Sequence, residues 1–363
     1  MRVLVDGLDV TNYGGIEAYL CQIIPKMKDD IFFDFTVPFD PDERFEALRA
    51  DNVQFLRVRR RRDDMRGNMA DIDRVLSSAK YDLIWLHKDS LSNIALLRES
   101  AKRDIRSIVH AHRSTLKGMA PARIAMHYLQ RRAAYLDAAE HWACSKGAGF
   151  LFFGNRPFEV MSNVIDVDCF SYSEPARSAI RNELGIDQDE IVIGTVGRLD
   201  PVKNHIFLIK VLANLTRWNQ KVKLLIVGDG KERMNLESTA SSMGLSSRVI
   251  LTGARSDIPR MLSAMDLFVL PSLTEALSIS SLEAQASGLA CVIPVRLTQA
   301  VPPLTKVLAC PNDDAENWSR SIIDLVDSEP CVRTVDRSLF ERYDAVQQSS
   351  LMMSKLKIAA GLQ

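Results

Sequence analysis

The sequence predicts an α/β protein built from two doubly wound, parallel-stranded domains. Three observations carry this. Short apolar runs alternate with longer amphipathic stretches along the whole chain, the pattern of parallel strands joined by helical crossovers. The chain has 363 residues, which suits two domains at about 150 residues each. A polar, strandless stretch with Pro175 interrupts the alternation around 165–190 and sets the domain boundary there.

Taken in order, the strand-like runs of the first half are 2–7, 33–38, 53–58, 81–87, 106–112 and 141–145. Those of the second half are 191–198, 222–230, 248–253, 267–272 and 291–295. The segments between them have helical length and period, as in IEAYLCQIIPKM (16–27) and HIFLIKVLANLTRW (205–218). The first domain is therefore placed at 1–168 and the second at 169–339. The tail from 337 reads as one or two helices, with about 340–363 assigned to pack back on the first domain. Each sheet has its ligand edge at the strand C-termini, and the simplest active site is a cleft between the domains.

Composition narrows the function. The apolar fraction of 47% is ordinary, and 46 basic residues balance 46 acidic ones. That balance gives no pull toward nucleic acid, which is excluded as a partner. The six cysteines (Cys21, Cys144, Cys169, Cys291, Cys310 and Cys331) form no CxxC or zinc pattern. Buried thiols in a reducing, cytoplasmic setting are expected. The N-terminus is acidic and reads as a strand rather than a signal peptide. No apolar run approaches 18 residues. Arg57–Arg62 hold the one charge cluster, read first as a solvated loop and next as a contact with anionic lipid at the inner face of the membrane. The pairs Asp71/Asp73, Asp166/Asp168 and Asp187/Asp189 follow no central strand. They are read as helix or linker surface, so no metal is required.

Four segments hold candidate chemistry. In PSLTEALSISSLEAQ (271–285), a strand gives way to a loop with Glu275 and then to a helix from Ser278–Ile279 carrying Glu283. Helix N-terminal N–H groups suit a diphosphate, and a carboxylate suits a sugar diol. The spacing equally fits a dipole partner and a solvated loop acid. In GTVGRLDPVKN (194–204), Arg198 and Lys203 stand at a strand exit and a helix entrance, where two cations can neutralise a diphosphate or form a surface ion pair. In DGLDVTNYGGIEAYL (6–20), Gly14–Gly15 opens a helix and permits close ligand approach, or makes a plain turn. In IVHAHRS (108–114), His110 and His112 are expected to point to opposite faces, which makes them a poor metal pair.

Together these segments resemble the retaining glycosyltransferases of family 4, which have the GT-B fold of two Rossmann-like domains facing across a cleft. The likeness is strongest at 191–294. It continues through GGIEAYL (14–20), HAHRS (110–114), ACSKGAGFLFFG (143–154) and NVIDVDCFSY (163–172). The combination is similar to the capsular and exopolysaccharide branch. The resemblance implies a catalytic set of His112, Arg198, Lys203 and Glu275. It implies donor contacts from Gly14, Gly15, Gly197, Gly228, Thr252, Gly253, Ala254, Arg255, Ala276, Leu277, Ser278 and Glu283, with no metal or cofactor. Glu283 would take the ribose, Glu275 the sugar hydroxyls, and Thr252 to Arg255 the base. Ala276 and Val164 stand where the family carries glycine, which implies tuned donor choice.

The function expected is transfer of a sugar, with retention, from a nucleoside diphosphate (UDP for preference) to an acceptor hydroxyl on a lipid-linked saccharide. The competing readings are a nucleotide-sugar epimerase or a phosphorylase of the same fold, and a non-catalytic assembly subunit.

Overall fold

The structure is a computed structural model that describes residues 1–11, 13–27, 31–311, 314–328 and 333–362. It divides into two compact units, 1–165 with 342–363 and 166–341.

The first unit carries β1 (Arg2–Asp6), β2 (Phe32–Val37), β3 (Val53–Arg57), β4 (Leu83–Lys88), β5 (Ser107–Ala111), β6 (Glu140–Ala143) and β7 (Glu159–Val160). They form one parallel sheet in the order β3-β2-β1-β4-β5-β6-β7. The chain winds outward from β1 in one direction, then returns to start β4 on the other side. That reversal opens a crevice beyond β1 and β4. The central strands are apolar throughout, with Val3, Leu4, Val5, Leu83, Ile84 and Trp85 all inaccessible, because helices cover both faces. The closing helix, Ala345–Ala359, packs on the first helix, Gly15–Ile23.

The other unit repeats the plan with β8 (Ile191–Val196), β9 (Val222–Val227), β10 (Val249–Leu251), β11 (Leu267–Val269), β12 (Cys291–Pro294) and β13 (Val307–Cys310). The order is β10-β9-β8-β11-β12-β13, again parallel, so the reversal falls between β8 and β11. The helix His205–Trp218 packs on the helix Ala315–Ser328, where Phe207 meets Trp318 edge-on at 5.1 Å. The polar stretch at the boundary folds into the helix Glu174–Leu184, capped by Ser173 and ended by Gly185 in the left-handed region. Its Arg181 is fully buried. The guanidinium donates to the carbonyls of Ala264, Asp187, Gln188 and Glu190 and pairs with Asp266 at 2.7 Å. A charge in a stretch that reads only as polar in the sequence is a staple in the fold.

Two edge strands escape the sequence reading: β7 has two residues and β13 is half-buried. At the outer edge of a sheet neither needs a long apolar run. Cys21, Cys144, Cys291 and Cys310 are buried and free, and Cys169 is free but exposed. Cys331 lies outside the described residues. No helix among the described residues is long and apolar enough to cross a membrane.

Candidate functional site

In the unit 166–341, three strand exits are drawn together by glycines. Gly228 has φ +143°, and a Cβ there would lie 2.1 Å from the Gly197 carbonyl oxygen, so a side chain is excluded. The Gly228 N–H donates to Gly253 O at 2.9 Å. Lys203 lies against bare Gly197, about where a Cβ would meet its Cε at 3.6 Å.

Lys203 Nζ donates to Glu275 Oε1 at 2.7 Å. This ion pair joins two segments 72 residues apart in sequence, the exits of β8 and β11. The backbone reinforces it, with Leu273 N–H donating to Val202 O at 2.8 Å. Arg296 braces the same loop through the Pro271, Ser272 and Leu273 carbonyls. Arg198 is exposed beside it and paired with Asp200. Of the base-bordering set, Thr252 Oγ1 donates to Gly253 O. Arg255 is engaged by Asp257 and Glu183, at 2.8 and 2.7 Å. Ala254 follows in the same exposed turn.

The helix Ile279–Ala286 begins under a Ser278 cap. The Ser278 N–H is already engaged by Ala300 O at 3.0 Å. That leaves Ala276 and Leu277 as the loop's amide candidates. Glu283, in the next turn of the helix, is only 8% exposed. Its carboxylate makes no hydrogen bond or ion pair with the described residues, and burial alone pushes its pKa to about 7. Thr195 Oγ1 and Ser272 Oγ, on the strand and loop of the same edge, are also buried without partners. Unpaired buried polar groups are costly and rare, so this concentration singles the edge out as the candidate site. The reading of Glu283 as a first-turn dipole partner fails, since it sits beyond the first turn.

The first unit presents a different edge. Asp6, at the end of β1, pairs with Lys88 at the end of β4 and accepts from Thr36 at 2.7 Å. Burial pushes Asp6 up, but Lys88 and Thr36 outweigh it and hold it below the usual range. Gly7 has φ +120°, and a Cβ would strike the His87 carbonyl at 2.1 Å. Gly14 caps the helix that Gly15 begins. Glu17 accepts from the N–H groups of Gly14 and Asp9, both at 2.9 Å.

The expectation that His110 and His112 diverge is overturned: their rings lie 4.2 Å apart. Positions two apart on a strand share one face, and that period places them together. His87, in register with His110 on the adjacent strand, joins them, and Tyr19 covers all three. His87 Nδ1 and His112 Nε2 share a hydrogen bond of 2.8 Å. Burial holds His87 and His110 well below the usual histidine range and His112 at about 3, so all three are neutral. One nitrogen from each falls within 4.8 Å of the others. Divergence therefore gives no ground for dismissing a metal pair. His87 Nδ1 and His112 Nε2 are nevertheless engaged with each other, and the three histidines bring no carboxylate to balance a divalent charge.

Sequence reasoning missed His87, Asp6, Lys88, Gly7 and Glu17. The signals available were strand-final DG and HK and a glutamate three residues after the helix-capping glycine. Two surface readings also change. Asp71 is buried and held at about 2 by Arg59; Asp73, Asp168 and Asp189 pair with Arg103, Arg337 and Lys221. In the basic run, Arg59 pairs with Asp64 and Asp71, Arg60 with Asp9, and Arg62 with Asp63. Much of its charge is cancelled locally.

Residues 176–337 match the family model described as glycosyl transferases group 1. EpsF of Bacillus subtilis (strain 168), described as a glycosyltransferase, is 29% identical over 313 residues, covering 80% of this chain and 78% of EpsF. The UDP-Gal:alpha-D-GlcNAc-diphosphoundecaprenol alpha-1,3-galactosyltransferase of Escherichia coli is 33% identical over 146 residues, 39% of this chain and 38% of that protein. Among solved structures, Anabaena HepE in complex with UDP and glucose superposes with a TM-score of 0.82 at 20% identity, covering 98% of this chain and 99% of that one. That structure shares the fold of two Rossmann-like units.

Proposed function

We propose that this glycosyltransferase, whose residues 176–337 match the group 1 family model, moves a sugar from UDP to an acceptor hydroxyl with retention of configuration. The acceptor is a saccharide on a lipid carrier, in the assembly of capsular or extracellular polysaccharide. The observation that carries this is Glu283: a buried carboxylate without a partner among the described residues, on the helix that follows β11 and the Glu275 loop, at the β8/β11 switch point.

A ribose diol gives Glu283 the two hydroxyl donors it lacks, and hydrogen bonds to the charged form return it to carboxylate. Lys203 and Arg198 neutralise the diphosphate, with the N-terminal N–H groups of the helix Ile279–Ala286 adding to that field. Glu275 receives hydroxyls of the transferred sugar, with Ala276 and Leu277 offering amides. The leaving phosphate takes the acceptor proton as the new bond forms on the same face. No side chain here is assigned as a covalent nucleophile and no metal is assigned to the reaction. The first unit has its own candidates at its own strand edge, the Gly14–Gly15 turn and His112 Nδ1, which is buried and unpartnered.

UDP bound in neighbours of the same fold supports the nucleotide. The diphosphoundecaprenol named for the E. coli relative supports the lipid carrier. A thermal-shift screen of UDP- and GDP-sugars tests the reading. UDP and one UDP-sugar should raise the melting temperature, and Glu283→Ala should reduce the shift at the same ligand concentration. A wild type indifferent to UDP would sink the donor assignment.

A further inference from the structure

We infer that the face formed by the helix Pro121–Gln130 and the end of the helix Lys146–Phe153 docks on an anionic lipid bilayer. The inference rests on the lipid-carried acceptor proposed above and names the surface that would meet the lipid.

The helix Pro121–Gln130 buries a single side chain, His127. That imidazole anchors it, with Nδ1 accepting from the Leu91 N–H at 3.0 Å and Nε2 facing Leu151 O at 3.3 Å. Arg123 reaches Asp89 and Ser90, and most of the remaining side chains are exposed. Tyr128 is 48% exposed and Leu129 64%; on the adjoining helix Lys146–Phe153, Phe150 is 60% exposed. Large apolar side chains this open are ordinary singly, but three on two adjoining helices mark an interaction surface.

Charge identifies the partner. Residues 113–156 hold seven Lys and Arg against two Asp and Glu, in a chain of zero net charge. Arg123 and Arg156 are paired with Asp89 and Asp137, but Arg131 and Arg132 at the helix end make no ion pair among the described residues, in contrast to Arg59, Arg60 and Arg62. With Tyr128, Gly154 and Arg156 they line an open cavity of about 570 Å³. Arg156 buttresses it, donating to Arg131 O at 2.8 Å. Guanidinium groups recognise phosphate, and an amphipathic helix with apolar and cationic side chains lies in the plane of a bilayer surface. A second copy of the chain would bring like charges together, and the face opposes that. The basic stretch 57–62 is replaced as the membrane contact, because its arginines are largely neutralised by their own neighbours.

The test is co-sedimentation of the full chain with phosphatidylcholine vesicles, with and without phosphatidylglycerol, at low salt. The wild type should bind only the anionic vesicles. Leu129→Glu and the double variant Arg131→Glu/Arg132→Glu should each lower the bound fraction about tenfold or more. Arg61→Ala/Arg62→Ala should bind as wild type. UDP binding, measured in parallel, should be unchanged in all of them and confirms folding. The inference is overturned if the wild type ignores anionic vesicles, if the face variants bind normally, or if the 61/62 variant loses as much. It is equally overturned if Leu129→Glu dissolves a dimer instead. Failure with UDP binding intact removes the docking face alone, whereas a wild type that does not bind UDP removes the functional reading itself.

Discussion

Glu17, in the unit built on β1, and Glu283, in the unit built on β8, are alike in burial: both carboxyls are pushed up to about 7, chiefly by loss of solvent. They differ in what they touch. Glu17 accepts two backbone N–H groups and closes the turn that opens its helix. Glu283 touches no donor among the described residues. The same shift therefore marks a finished structural cap in one unit and an unfinished site in the other. A raised pKa becomes a functional signal only once its hydrogen bonds have been counted.

The comparison can be broken in four places. The largest effect is expected at the charged edge beside Glu283. Lys203→Ala should lower kcat by about 10²–10³, the loss typical of removing one group that stabilises developing charge. Steady-state UDP release measures it, and near-normal turnover would remove Lys203 from the diphosphate. Next come the two glutamates themselves. Glu283→Ala should weaken UDP binding by about 10- to 100-fold in calorimetry, as expected for lost hydrogen bonds to a charged group. Glu17→Ala should leave UDP affinity unchanged and instead destabilise the fold by about 1–2 kcal/mol, as loss of a helix cap does. If the two variants exchanged these phenotypes, the distinction between cap and site would be wrong.

A smaller effect is expected at the histidines. His87→Leu removes the partner of His112 Nε2 and should lower kcat about tenfold. His87→Asn, which keeps a polar group near the Nδ1 position, should recover most of that loss. Equal damage from both would make His87 packing alone. The smallest effect is on pH. Both glutamates have folded pKa values near 7, above the ordinary 4.5. Their protonated forms favour the folded state, so that contribution is full below about pH 4.5 and is lost as pH rises through 7. Denaturant unfolding of the donor-free protein should show stability falling across that window. Glu283→Gln should flatten the fall by on the order of 1 kcal/mol, and an unchanged slope would contradict the raised pKa.

The sequence was most legible where one periodicity governs a segment. All eleven strand-like runs correspond to strands, because a strand covered on both faces must be apolar along its length. The turn chemistry was legible too: Gly228 between two strand exits, Ser278 capping the helix of Glu283. Edge strands β7 and β13 were not, since they need little burial. Nor was Arg181, whose charge is met by Asp266 and the Ala264 carbonyl, 85 and 83 residues away.

Sequence alone determined the fold class, the strand exits that carry Arg198, Lys203 and Glu275, the helix that carries Glu283, and the resemblance that implies their roles. The tertiary structure decided which of these residues are engaged and which wait. It paired Lys203 with Glu275, set His110 beside His112, neutralised much of Arg57–Arg62 and left Glu283 buried without a partner among the described residues. The physical reason is that periodicity is a property of one segment. Whether a polar group is satisfied depends on neighbours that arrive from distant parts of the chain.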